Sequence, residues 1–235
     1  VPHIRQIRQN TEPGDWLSGA DLIRQLASFK NPIMEDQYVR KNNTFISTHD
    51  HKQEIFQEIN EFVQNVTGYK DATIEIPITM DNILVKINGL TRPIQSLGTG
   101  IHEVIIIASV CTIIKDSILC IEEPEIHLHP LLQRKLINYL TEHTSNQYFV
   151  ATHSAAFIDM PEASIFHVWQ EKGNTKIKAA LTGAEKFTIC QDLGYRASDL
   201  LQTNLVIWVE GPSDRLYLNN WLAAFWDQEG RDPFI

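Results

Sequence analysis

The sequence predicts a mixed α/β fold, and three observations predict it. Residues 117–151 read as a βαβ unit: an apolar strand, a helix opened by Pro130, and a second apolar strand. Residues 73–95 alternate with period two around Asn88-Gly89, a tight-turn dipeptide. Two amphipathic helices precede that stretch.

Taken in order, residues 1–14 are polar and break at Pro13-Gly14. Ser18 suits the cap of a helix to about Phe29, with Leu22, Ile23, Leu26 and Phe29 at helical spacing, and Asn31-Pro32 ends it. Asp50 suits the cap of a second helix to about Val66, where Ile55, Ile59, Phe62 and Val66 form one stripe and Gly68 gives the stop. In residues 73–95, Ile74, Ile76 and Ile78 alternate with polar residues, and Ile83, Val85 and Ile87 follow, which predicts antiparallel sheet. Ser96-Leu97-Gly98-Thr99-Gly100 then precedes a helix carrying the run Val104–Ile107.

The strand Ser117–Ile121 is continuously apolar in its middle, the pattern of a strand buried on both faces. Pro130 fits a helix's first turn, and Leu132, Leu136, Ile137 and Leu140 continue that helix into the strand Tyr148–Ala151. The crossover should be right-handed between parallel strands. A hairpin is expected from Ser164–Trp169 and Thr175–Leu181, turning at Gly173-Asn174. Residues 183–203 read as a helical connector. Leu205–Val209 reads as another buried strand, and a helix with Leu216, Leu218, Trp221 and Leu222 follows.

With 235 residues, 43% of them hydrophobic, the chain can bury a sizeable core. A net charge of −9 gives no overall pull toward nucleic acid, so any such contact needs a local basic patch or a metal ion. Cys111, Cys120 and Cys190 form no CxxC pair and read as buried free thiols of a reducing, cytoplasmic compartment. No apolar run reaches the roughly 18 residues of a membrane helix, so no membrane association is expected. Val1-Pro2-His3 lacks an initiator Met and a signal pattern, as expected of a piece of a longer protein.

Four segments carry chemistry. The strand ending Ile121-Glu122-Glu123-Pro124 sets two carboxylates at the edge of an α/β sheet where ligands bind. Neighbours on a strand point to opposite sides, so one can hold Mg²⁺ through water while the other orients and deprotonates a water. By itself the pair also fits a solvated strand end. Ser96–Gly100 offers glycines and a helix N-terminus to a phosphate, although such a turn is often only a turn. Thr152-His153-Ser154 places a histidine after the second strand, as a phosphate or water contact or as a structural residue. In Val206-Ile207-Trp208-Val209-Glu210-Gly211-Pro212-Ser213-Asp214, Glu210 and Asp214 could share a Mg²⁺ or Mn²⁺, or Ser213 or Asp214 could simply cap the next helix.

In order and spacing, the first three segments resemble the signature loop, Walker B strand and switch histidine of ABC-type ATPases. The resemblance implies that Ser96, Gly98, Thr99 and Gly100 contact ATP held by the opposite protomer. It makes Glu122 the Mg²⁺ residue, where Asp is commoner, Glu123 the catalytic base and His153 the phosphate sensor. Glu125–Pro130 would be the dimer-contacting D-loop, and EEPEIHLHP is typical of the non-transporter branch of recombination, repair and phage-defence ATPases. The pattern hhhEGxxDxxxL at Glu210 and Asp214 resembles the first motif of Toprim domains, which bind Mg²⁺ or Mn²⁺.

The combination resembles the OLD (overcoming lysogenization defect) family, in which an ABC-type ATPase is joined to a Toprim nuclease, as in Gabija nuclease subunits and retron-associated effectors. The fold implied is the C-terminal part of an ABC-type P-loop ATPase domain with a helical insert, followed by the start of a Toprim α/β domain. The divisions are 1–14, the end of a preceding ATPase segment; 15–70, a helical insert and dimerisation element; 71–182, the C-terminal half of the ATPase core; 183–203, a connector; and 204–235, an incomplete Toprim start. The function implied is ATP hydrolysis controlling a metal-dependent DNA endonuclease in anti-phage defence. It would act as a homodimer or higher homo-oligomer on DNA, with a helicase or a reverse transcriptase and its DNA/RNA product as partner.

Two departures matter: no GxxxxGK[ST] loop occurs, which the resemblance would place upstream of Val1, and no later DxD pair follows. The residues shown are therefore expected to bind ATP poorly and not to cut DNA by themselves. The alternatives are a non-nuclease ABC-type clamp that uses ATP for dimerisation, and a zinc hydrolase built on His127, His129 and His153.

Overall fold

A computed structural model describes residues 16–19, 21–31, 38–41, 44–160, 163–195, 209 and 211–229. The chain divides into two units, residues 1–161 and 162–235.

In the first unit, a single 3-10 turn at Trp16–Ser18 leads into helix α1, Leu22–Lys30. Asp21 occupies the N-cap position expected for Ser18, and Arg24 lies 3.6 Å from it. A hairpin of β1 (Tyr38–Lys41) and β2 (Thr44–Ser47) follows, with Val39 opposite Ile46. No strand was expected here, since neither segment is long enough to establish a period. The second helix, α2, spans Thr48–Thr67 and starts directly from β2, two residues before Asp50. Gly68, at φ +80°, stops it as expected, its N–H bonding the Gln64 carbonyl at 2.8 Å.

The strands β3 (Thr73–Glu75), β4 (Leu84–Ile87) and β5 (Leu90–Pro93) form the expected antiparallel sheet, in that order. Asn88 and Gly89 both have positive φ, as the tight turn requires. The Asp71 carboxylate accepts from the N–H groups of Gly89 (2.7 Å) and Asn88 (3.0 Å), and these bonds hold it below the usual carboxylate range. Ile74 and Ile76 are buried, but Ile78 is 91% exposed because the chain turns at Pro77. The alternation continues in the sequence after the sheet has stopped.

Helix α3, Thr99–Ile113, is buried from Glu103 to Thr112 and packs against α2. An all-round apolar helix of this kind belongs in the middle of a core. Strand β6 (Ile118–Glu122), helix α4 (Pro130–His143) and strand β7 (Gln147–Ala151) form the βαβ unit, with β6 and β7 parallel. Asn146 fixes its start. The side-chain amide donates to the carbonyls of Cys111 (3.0 Å) and Ile114 (2.7 Å) at the end of α3, and its oxygen accepts from Ser117 N–H at 3.0 Å. A short helix, α5 (Ala155–Ile158), ends the unit.

Two expectations fail in β6. Leu119 and Ile121 are buried, but Ile118 is 65% exposed and Cys120 is exposed too. Phe149 of β7 is also exposed. Among the described residues this sheet has two strands and only one covered face. Cys120 is therefore a surface thiol, Cys190 is half-buried, and Cys111 alone is buried, which pushes its thiol up to about 12.

In the second unit, β8 (Ile165–Glu171) and β9 (Asn174–Ala180) form the expected hairpin. It turns at Lys172-Gly173, one residue earlier than expected, because those two residues hold the positive φ values. The connector contains α6, Gly183–Asp192, opened by a capping box of Thr182 and Glu185. Helix α7 spans Pro212–Glu229. The expected strand at 205–209 and the Glu210 site fall largely outside the described residues.

Asn60 ties α2 to the antiparallel sheet. It is buried, accepts from Ile74 N–H at 2.7 Å and donates to the Phe56 carbonyl at 2.9 Å. Asn60→Ala would leave the Ile74 N–H buried without its acceptor. We expect a loss of about 1–3 kcal/mol in urea unfolding, as a lower midpoint at unchanged slope.

Candidate functional site

Two parallel strands ending in register build the site. Glu122 lies opposite Ala151, and the next residue extends the ladder: Glu123 N–H donates to the Ala151 carbonyl at 2.7 Å. Glu123 has φ +43°, a left-handed conformation that a non-glycine residue adopts at a cost. Its carbonyl accepts from Ile126 N–H at 3.2 Å, so the chain turns immediately after the acidic pair.

The Glu123 carboxylate and the His153 ring then come together, with Oε1 and Nε2 3.8 Å apart. Both side chains reach solvent, His153 the more so. The separation exceeds a direct hydrogen bond, so the two groups can act on a common third atom. Glu122 ends β6 with its side chain exposed, on the opposite side of the strand from buried Ile121. Of the predicted site residues, Glu123 and His153 are thus brought together, and Glu122 lies beside them in sequence at the same sheet edge.

Behind this pair runs a hydrogen-bonded network. One oxygen of Glu125, Oε1, accepts from the Thr152 hydroxyl at 2.7 Å and from His153 N–H at 2.6 Å. Its other oxygen, Oε2, is buried without a hydrogen-bond partner. Thr152 Oγ1 in turn accepts from Ser154 N–H at 3.0 Å. Ser154 caps α5 and donates to Gln133 Oε1 at 2.6 Å, while Gln133 Nε2 donates to the Leu128 carbonyl at 2.8 Å. Sequence reasoning placed Glu125 in the dimer-contacting loop, or as a zinc ligand beside His127 and His129, and gave Thr152 and Gln133 no role. No local pattern reports a bond between residues 27 apart.

The glycine-rich segment divides. Gly98 is the N-cap of α3, has no side-chain capping bond, and would have open space around a Cβ. Ser96 and Thr99 are exposed beside it. This is a surface helix start of the kind that takes a phosphate, so the residues present fit a nucleotide's terminal phosphate. Gly100 has a different reason to be glycine: a Cβ there would lie 2.7 Å from the His127 carbonyl oxygen and 3.3 Å from Leu128 Cδ2. The start of α3 therefore packs directly on the loop after the acidic pair.

The histidines of that loop do not form a metal site. His129 Nδ1 accepts from Leu131 N–H and caps α4, and His127 stands at φ +62°. Among the described residues, no three His, Cys, Asp or Glu side chains gather as a metal site. In the second unit, Asp214, the third residue of α7, accepts through Oδ2 from Gly211 N–H at 3.1 Å, a bond back to the residue before the helix.

The profile of the AAA ATPase domain matches residues 18–158. The chain belongs to the AAA ATPase domain family. Its mixed α/β fold resembles that of SMC ATPase heads over 60% to 63% of the chain. One similar structure comes from work on ATP-driven dimerization and DNA-stimulated activation of SMC ATPases. It aligns at TM-score 0.50 and 14% identity, over 60% of this chain and 92% of the other. Another is the Smc head domain with a coiled coil and joint derived from Pyrococcus yayanosii. There the TM-score is 0.51 and the identity 14%, over 63% of this chain and 30% of the Smc chain. No curated protein matches the sequence. In this AAA ATPase domain no described helix is long and apolar enough to cross a membrane.

The two glycines should separate in a mutational test. Gly100→Ala forces a methyl against backbone and should cost about 1–3 kcal/mol in an unfolding experiment. Gly98→Ala should leave stability within about 0.5 kcal/mol, because it meets open space.

Proposed function

We propose that the protein is an ATP-hydrolysing, ABC-type enzyme whose nucleotide state controls a metal-dependent Toprim endonuclease. The observation that carries the first half is the approach of Glu123 to His153 at the ends of adjacent parallel strands. A carboxylate and an imidazole so placed suit attack of water on a phosphate. Glu123 orients the water and takes its proton as the water oxygen bonds to the γ-phosphorus and the bond from that phosphorus to the ADP oxygen breaks, ADP leaving. His153 donates to the phosphate oxygen on which charge accumulates. Glu122 would hold Mg²⁺, which would supply neutralisation of phosphate charge. Ser96, Gly98, Thr99 and Gly100 present the N-terminus of α3 to ATP carried by a second protomer. The family and the SMC-head fold support this reading, as does a described similar structure concerned with ATP-driven dimerization.

The nuclease half rests on the sequence motif at Glu210 and Asp214. These two acids would hold Mg²⁺ or Mn²⁺ for attack on a phosphodiester. On the same grounds the divisions at residues 70, 182 and 203, the OLD membership, the DNA substrate and a role in phage defence with a helicase or reverse transcriptase partner belong to the proposal. The likeness to SMC heads favours a second reading, a clamp that binds DNA and uses ATP to dimerise without cutting.

Both halves are open to test in the full-length protein. Glu123→Gln should bind ATP normally and lose turnover by a factor of about 10² to 10⁴. Unchanged hydrolysis would sink the assignment of the base. Glu210→Ala should abolish DNA cleavage with Mg²⁺ or Mn²⁺ while sparing ATP turnover. Cleavage that survives the change removes the Toprim site, and an unmutated protein that never cuts favours the clamp.

A further inference from the structure

We infer that Glu125 is a positioning residue of the ATPase site, holding His153 in place through acceptor geometry rather than through its charge. The inference rests on the reading of Glu123 and His153 given above.

Three observations carry it. First, one atom, Glu125 Oε1, accepts both the Thr152 hydroxyl (2.7 Å) and the His153 main-chain N–H (2.6 Å). These are short bonds to a carboxylate, the strong class. They fix the backbone from which the exposed His153 ring projects. Second, Glu125 lies two residues beyond Glu123, across a turn closed by Ile126 N–H on the Glu123 carbonyl. The base and the histidine's anchor therefore belong to one rigid turn, so displacing either end alters the 3.8 Å separation of Glu123 and His153. Third, the arrangement is poor as a purely structural device, because Oε2 is buried without a partner. A buried acceptor left unsatisfied lowers stability, and such groups concentrate where function requires the geometry. No charged side chain donates to Glu125 in the bonds described; both of its donors are neutral.

The chemistry at Oε1 distinguishes reach from charge. Glutamine has the same length, and its amide oxygen can accept both bonds. Aspartate keeps the charge but is one methylene shorter, so it cannot span both donors from the same backbone. The test measures steady-state ATP hydrolysis by the full-length protein with Glu125→Gln, Glu125→Asp, His153→Ala and the double variant Glu125→Asp/His153→Ala. Each variant's thermal unfolding is followed alongside. Glu125→Gln should keep kcat within about threefold of the parent, and Glu125→Asp should lower kcat by about 10- to 100-fold with KM for ATP nearly unchanged. The double variant should be no slower than His153→Ala, since the two changes remove one function.

Three results overturn the inference without touching the reading it rests on: Glu125→Asp at parental kcat, Glu125→Gln as slow as Glu125→Asp, or a double variant whose loss is the product of the single losses. If Glu125→Asp does not fold, Glu125→Ala takes its place as the variant that loses both acceptor bonds, and parental kcat there overturns the inference. Parental turnover in His153→Ala would remove the phosphate-sensor reading and this inference with it. Loss in His153→Ala alone, with Glu125→Asp normal, removes this inference and leaves that reading intact.

Discussion

The register of β6 against β7 is the constraint on which the rest of the site depends. Five residue pairs run from Ile118 and Gln147 to Glu122 and Ala151, and the Glu123 N–H adds one more rung on the Ala151 carbonyl. A slip of one residue would exchange the faces of the strand, burying Ile118, Cys120 and Glu122 and exposing Leu119 and Ile121. Glu122 would then be a carboxylate in an apolar core, a costly state. The hydrophobic effect acting on Leu119 and Ile121 therefore places the acidic pair at the sheet edge. Asn146 secures the other end by holding Ser117 to the last turn of α3.

Much of this was legible in the sequence because it depends on short-range rules. Pro130 opens α4, Gly68 stops α2 and Asn88-Gly89 turns β4 into β5, each through a backbone preference carried by those residues. The placement of Glu123 and His153 at one sheet edge was legible as well, since parallel strands joined by a helix bring their C-terminal ends together. What failed has equally physical reasons. Ile78 continues an alternation that Pro77 has already ended. The hairpin of β1 and β2 is too short to show a period. The apolar run of β6 correctly indicated a parallel strand, but the amount of cover on each face is a property of neighbouring layers, which the strand's own sequence does not contain.

That uncovered face is informative in its own right. Parallel sheets are usually sheltered on both sides, because crossover helices pack there. Here Ile118, Cys120 and Phe149 point away from the core that receives Leu119 and Ile121. Their composition suits burial while their environment is open. The apolar run expected to be buried twice and the one-sided burial observed therefore differ only in what lies over the second face.

The loop from Glu123 to His129 joins the parts that chemistry would require to act together. On one side Gly100 brings the start of α3 so close to the His127 carbonyl that no side chain fits between them. On the other, Glu125 holds Thr152 and His153, and Gln133 links Leu128 to Ser154. Two residues of the loop, Glu123 and His127, adopt left-handed backbone that neighbouring contacts must maintain. The start of α3 therefore packs on the same turn that carries Glu123 and, through Glu125, holds the His153 backbone. Packed elements of this kind respond by shifting between discrete arrangements rather than by bending gradually. The glycine that admits this contact and the carboxylate that fixes the histidine are two ends of one mechanical connection.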